Sequence, residues 1–262
     1  MTLFGHINPL YSLSGFLVGM LVGITGVGGG SLMTPLLVLL FGIHPATAVG
    51  TDLLYAACTK SVGTVVHGLK GSVQWPIVGL LAAGSLPATV LTLAGLVHFG
   101  APSPMVSRLI SFVLGSALLL TAVSLLFHAR ILAWASSRAV TLSPSRARWL
   151  TVATGLALGV LVSISSVGAG ALGVTALILL YPRLPTARIV GSDVAHAVPL
   201  TLAAGLGHWF IGSVDWPLFG SLIVGSIPGI VLGSLIASRV PERFLRPALS
   251  AVLLLVGTRL LA

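Results

Sequence analysis

The chain has 262 residues, 56% hydrophobic and 6% charged, with thirteen Lys or Arg against four Asp or Glu and a formal net charge of +9. Soluble domains average about 25% charged residues, so this chain cannot clothe itself for water and must face lipid along most of its length. Its basic residues lie between apolar runs, without an aromatic-rich patch, which excludes nucleic acid as a partner and marks them as loop charges that set topology.

No basic n-region or A-x-A-type site precedes the first apolar run, so that segment is expected to remain in the mature protein. The run spans residues 10–41. As one helix its 32 residues would reach about 48 Å, against a hydrocarbon core of about 30 Å. Gly26-Val27-Gly28-Gly29-Gly30 interrupts its middle, a composition that weakens a helix. Two readings stand: one long tilted helix, or a hairpin of two shorter helices meeting at the glycines.

Apolar blocks 47–67, 75–99 and 107–128 follow, each of ordinary spanning length. The first of them carries Asp52, Lys60 and the lone Cys58, to which no role is assigned. His67 ends it, and Trp75-Pro76 opens the next block as an interfacial anchor and a first-turn proline. A polar stretch, 129–149, contains Arg130, Arg138, Arg146 and Arg148 among serines and reads as a cytoplasmic linker. Blocks 150–181, 188–211, 216–238 and 244–261 complete the chain.

The second set copies the first. At a shift of 141, Gly50, Asp52 and His67 meet Gly191, Asp193 and His208; Gly71-Ser72-Val73 and Trp75-Pro76 meet Gly212-Ser213-Val214 and Trp216-Pro217. Gly84, Ser85 and Pro87 then meet Gly225, Ser226 and Pro228. Upstream the shift is 140, pairing Gly15, Gly19, Gly28 and Gly30 with Gly155, Gly159, Gly168 and Gly170. The organisation is therefore one membrane repeat at 10–128, the linker, and a second repeat at 150–262.

Loop charge arbitrates the topology. If each first block crossed once, the loops holding Arg183, Arg188, Arg239, Arg243 and Arg246 would lie outside, against the positive-inside rule. If each enters and returns, those arginines, Lys70 and the linker all fall inside, and the halves are inverted. The expected fold is thus an all-α polytopic membrane protein of two inverted repeats, each a glycine-broken first block plus three transmembrane helices.

A helix broken at membrane depth is tolerated only beside protein or a watery cavity. Its exposed amides and positive dipole end suit an anion, and inverted-repeat transporters place such breaks at the substrate site. The competing reading is that these glycines only admit close helix packing. Intramembrane acids usually face a cavity or a partner, so Asp52 and Asp193 read either as proton-linked groups or as carboxyls complementing a nearby helix start. Thr51 and Ser192 offer hydroxyls to an anion or back to their own helices. Lys60, with Thr201 at the equivalent position, either attracts an anion or pairs with Asp52. His67 and His208 read as helix-end residues. No Walker motif and no metal-spaced cluster of Cys, His or acids is present, so neither ATP hydrolysis, nor a metal, nor a cofactor is expected.

The run Gly26-Val-Gly-Gly-Gly-Ser31, Pro35, and Gly42-x-x-Pro45-x-x-Ala48-Val-Gly-Thr51, with Gly84-x-x-Pro87 and Gly225-x-x-Pro228-Gly229, resembles the signature of the TauE/SafE family of membrane anion exporters. The resemblance covers nearly the whole chain. It implies sulfite, sulfonates such as sulfoacetate, or related organosulfur anions as substrates, and a bacterial inner-membrane location. The chain departs from the pattern in carrying Asp52 and Asp193 where an uncharged residue is expected, and in reading Gly168-Ala169-Gly170 at the second cluster.

The expected function is a secondary carrier of small sulfur-containing anions such as sulfite, thiosulfate or sulfonates, working by alternating access. Backbone donors would come from Gly28, Gly29, Gly30, Gly168 and Gly170, hydroxyls from Ser31, Thr51 and Ser192, and positive potential from Lys60. Asp52 and Asp193 would couple a proton. Two other classes remain as alternatives: an intramembrane aspartyl protease using Asp52 and Asp193, and a non-transporting membrane partner protein. Membrane lipid is the surrounding partner, and a homo-oligomer is left open.

Overall fold

The computed structural model describes residues 7–25, 30–69, 71–100, 103–137, 143–236 and 242–261. These residues form eleven helices and, among them, no strand. The first block is α1 (Pro9–Thr25) and α2 (Gly30–Leu39); α3 (Pro45–Leu69), α4 (Trp75–His98) and α5 (Pro104–Leu126) complete the first repeat. The second repeat runs as α7 (Pro144–Ser165), α8 (Ala171–Leu180), α9 (Thr186–Phe210), α10 (Trp216–Ile236) and α11 (Glu242–Leu261). The first block of the second repeat is therefore interrupted, a long helix followed by one of only ten residues; in the first repeat α1 and α2 flank residues 26–29, where the glycine cluster lies outside the described residues.

The stretch expected to be a linker is not all loop. It folds mostly into α6 (His128–Ser137) and the opening turns of α7, and Ala135 of α6 is buried against Ile178 and Leu177 of α8. Pro104 and Pro144 open α5 and α7, each behind a serine whose side chain accepts an amide of the first turn. This is the expected use of proline where the helix has no partner for its N–H.

Among the described residues, five helices are long and apolar enough to cross a bilayer: α4, α5, α7, α9 and the segment Trp216–Gly233 of α10. Their outward faces carry large apolar side chains such as Leu91, Phe112 and Leu235, as a lipid-facing surface requires. Inside lie Asp52, Asp193, His196 and Lys60, all buried.

The two repeats interlock. The dominant helix contacts are α1 with α10, α4 with α7, α5 with α11 and α3 with α9, each joining one repeat to the other. Small residues let these backbones approach. A Cβ on Gly15 would run into the Leu222 carbonyl, and one on the equivalent Gly155 into the Leu81 carbonyl, itself equivalent to Leu222. Gly225 lies in the same way against the Ser12 carbonyl, and Gly84 against that of Val152. Each contact thus recurs with the repeats exchanged.

Gly225→Val is accordingly expected to destabilise the protein by about 1–3 kcal/mol through overpacking against α1, read as a lowered melting temperature in detergent. Gly79→Ala and Gly220→Ala, where an added Cβ meets nothing, should leave it undiminished, since alanine favours the helix over glycine.

Candidate functional site

The break between α7 and α8 forms from its own sequence. Ser166 ends α7 in the left-handed conformation, at φ 59°, with its amide donating to the Val162 carbonyl at 2.7 Å. Gly168 and Gly170 follow at φ 122° and 130°, a region that only glycine enters freely. Gly170 sits at the N-cap of α8 without a side-chain cap. Residues 165–171 are all buried, so the freed backbone is covered by protein, as membrane depth demands.

Three ionisable side chains converge on this break. Lys60 reaches across from α3, and its ammonium donates to the Ala169 carbonyl at 2.9 Å. A buried lysine in an apolar body needs such oxygen contacts. Asp193 leans on α8 so closely that a Cβ on Gly173 would collide with its carboxyl. Among the described residues neither Asp193 oxygen has a hydrogen-bond partner, although the Gly170 amide and the Lys60 charge are near enough to act on it. Asp52 leans on the short helix of its own repeat, accepting a short hydrogen bond from the Thr34 hydroxyl of α2. Its other oxygen has no hydrogen-bond partner among the described residues, and Ser166 and Lys60 are its further polar neighbours.

Beside this cluster the repeats exchange hydrogen bonds. The Tyr55 hydroxyl of α3 donates to Ser226 of α10 at 2.8 Å, and His196 Nε2 of α9 pairs with Ser85 of α4 at the same distance. Tyr55 and His196 are equivalent at the shift of 141, as are Ser226 and Ser85. Ser226 and Ser85 each precede a proline inside a helix, Pro228 and Pro87, which leaves a carbonyl one turn back without its helical donor.

Lys60, Asp52, Asp193, Gly168 and Gly170 are thus gathered in one buried region. The hydroxyls of Thr51 and Ser192 are held elsewhere. They accept the amides of Asp215 and Gln74 at 3.0 and 2.8 Å, and so tie down the loops entering α10 and α4. Ser192 also donates to the Arg188 carbonyl at 2.6 Å. The bond of Ser192 to its own helix is one of the two uses expected from the sequence. Gly30 opens α2; Gly28, Gly29 and the side chain of Ser31 lie outside the described residues. His208 bonds the Ser163 carbonyl at 2.9 Å and His67 bonds Ser72 at 3.0 Å, so both serve the fold. Among the described residues no cluster of metal-ligating side chains is found.

Sequence reasoning passed over Thr34, Tyr55, Ser85, Ser166, His196 and Ser226. The self-comparison carried a usable signal, because Tyr55 opposite His196 and Ser85 opposite Ser226 stand in register between matched glycines. Nothing in a single sequence, however, states that the partner lies in the other repeat.

Comparison with known proteins follows the same line. The family model described as Sulfite exporter TauE/SafE matches residues 11–260. The chain is similar to the Probable membrane transporter protein YjnA of Bacillus subtilis (strain 168), with 39% identity over 252 residues covering 95% of this chain and 98% of that protein. It is similar to the Probable membrane transporter protein YdhB of the same organism, at 29% over 92% of this chain and 97% of YdhB. A Probable membrane transporter protein of Xylella fastidiosa (strain 9a5c) is 30% identical over 80% of this chain and 77% of its own. No solved structure matches significantly.

The Tyr55–Ser226 bond offers a direct check on the packing between repeats. Tyr55→Phe removes the donor and is expected to lower stability by about 1 kcal/mol, measured by denaturant unfolding in detergent.

Proposed function

The chain belongs to the TauE/SafE family, and from that membership we propose a secondary carrier of a small sulfur-containing anion, such as sulfite, thiosulfate or a sulfonate, in a bacterial inner membrane. It moves its substrate by alternating access of two inverted repeats around the helix breaks. The family is one of membrane transporters, which removes the intramembrane protease reading of Asp52 and Asp193.

The observation that carries the proposal is the buried Lys60 ammonium seated on the Ala169 carbonyl of the α7–α8 break, within electrostatic reach of two buried aspartates that have, among the described residues, unpartnered oxygens. Lysine and the first amides of α8 attract an anion. Two ionised carboxyls would repel it, since like unit charges about 4 Å apart oppose each other by about 4 kcal/mol at an effective dielectric of 20. One lysine cannot offset two carboxylates and an incoming anion together. The anion therefore enters with a proton on the carboxyls, and the two are carried together. The binding set is Lys60 with the Gly168–Gly170 turn and the start of α8; by the repeat, Gly28, Gly29, Gly30 and Ser31 form its counterpart. Thr51 and Ser192 contribute by fixing the loops behind it.

Reconstitution tests this reading. Purified protein in liposomes is expected to pass at least one of labelled sulfite, thiosulfate, sulfate and sulfonates, with uptake accelerated when the outside is acid. No flux of any of these anions would leave the non-transporting partner reading in its place.

Two variants refine the assignment. Lys60→Gln should weaken anion binding by about tenfold or more, the worth of one charge-assisted contact of about 1.5–3 kcal/mol, in a titration of exchange rate against anion concentration. The double variant Asp52→Asn/Asp193→Asn should keep anion exchange and lose the acceleration by acid.

A further inference from the structure

The repeats match at the packing surfaces, yet they differ in one buried side chain that can carry a proton. Tyr55 and His196 occupy equivalent positions and make the same 2.8 Å bond to equivalent serines of the opposite repeat. Tyr55 completes its role with that bond. His196 is fully buried, and its second nitrogen, Nδ1, is without a partner among the described residues. It follows Asp193 by three residues on α9, a spacing that places both side chains on one helix face about 5–6 Å apart at Cβ. Among the described residues neither oxygen of Asp193 has a hydrogen-bond partner, with the Gly170 amide near enough to act on it.

Other charges around His196 are few. From α3 the Lys60 ammonium acts on it, and Asp52 lies further along the same helix. From α4 it meets only the Ser85 hydroxyl. Neither α8 nor the membrane-embedded part of α7 contains a titratable side chain, because Arg146 and Arg148 belong to the opening turn of α7. Among the described residues, an unpartnered ring nitrogen thus stands one turn along the same helix from an unpartnered carboxyl, a spacing at which two sites can share a proton. The first repeat has only the carboxyl.

We propose that His196 makes the two repeats unequal in proton handling: the second repeat holds the transported proton between Asp193 and His196, and the first has no equivalent. Nδ1 takes the proton released by the Asp193 carboxyl, through a bridging water where the gap requires one. The imidazolium then keeps its Nε2 proton on Ser85, and the reverse transfer restores neutral His196 and the protonated acid. This rests on the anion–proton carrier reading given above.

The protein supplies its own control. A tyrosine already makes this inter-repeat bond at position 55, so His196→Tyr preserves the contact and removes the second proton site. The test uses full-length protein in liposomes with labelled sulfite, the membrane potential clamped at zero and protein-free vesicles subtracted. Two quantities are read: exchange at equal pH, and steady accumulation under a one-unit pH gradient, acid outside. One coupled proton sustains tenfold accumulation per pH unit, about 1.4 kcal/mol.

The parent protein and Tyr55→Phe are expected to accumulate sulfite about tenfold, and His196→Tyr about onefold, with exchange retained. Accumulation by His196→Tyr equal to the parent's overturns the proposal, as does an equal loss in Tyr55→Phe, which would assign the effect to the inter-repeat bond. Loss of exchange in both His196→Tyr and His196→Gln also overturns it, by making His196 part of the anion path or the fold. A parent protein that exchanges sulfite without accumulating it refutes proton coupling and this inference while the carrier reading survives; a parent that moves none of the four anion classes refutes the carrier reading itself.

Discussion

An ammonium enclosed within a membrane body must meet oxygen, and the oxygen that Lys60 meets exists only because a helix stops where it does. The Ala169 carbonyl is free to accept from Lys60 because Ser166, Gly168 and Gly170 adopt conformations that no continuous helix allows. Lysine and break therefore depend on each other. Were α7 and α8 one rod, that carbonyl would be bonded within the helix and Lys60 would be a buried charge with no acceptor. Were Lys60 absent, the turn would expose a bare carbonyl beside two carboxyls. Asp52 and Asp193 complete the arrangement, each resting on the short helix of its own repeat.

The rest of the fold holds this region at the seam between repeats. Glycine stripes on α1, α4, α7 and α10 bring backbones into contact across the seam, and α3 and α9 cross at the centre. Neither repeat can enclose the site alone, because Lys60 comes from one and the α7–α8 break from the other. Such a seam suits alternating access, in which one unit rocks against another around a fixed site. The Tyr55–Ser226 and His196–Ser85 bonds sit beside prolines in α10 and α4, where the helix ladder is already interrupted, and they link the central helices to the points at which those helices bend most readily.

Much of this was legible in the sequence, and the reasons are physical. An apolar run too long for the bilayer with a glycine cluster in its middle has few stable outcomes, and the block 150–181 is interrupted at that place. The duplication was legible because Trp-Pro, Asp and His recur in fixed order, which leucine-rich sequence does not imitate by chance. The place of Lys60 was only partly legible: residue spacing located it two turns from Asp52 on one helix, whereas the acceptor it meets lies 109 residues away. The amides that Thr51 and Ser192 accept were not legible, because a hydroxyl in a helix gives no hint of an amide arriving from the opposite repeat. His196 was not legible because self-comparison marks residues that the repeats share, whereas His196 stands opposite Tyr55 and differs from it. The polarity of 129–149 marks a linker but does not disclose the helix α6 within it, whose Ala135 is buried in one apolar cluster with residues of α8.

The most direct test is an experimentally determined structure of the purified protein with sulfite present at saturating concentration. The account predicts anion density touching the Lys60 ammonium and the first amides of α8, with α7 ended at Ser166. An uninterrupted helix through residues 165–171, or Lys60 turned away to lipid with the anion bound elsewhere, would contradict it.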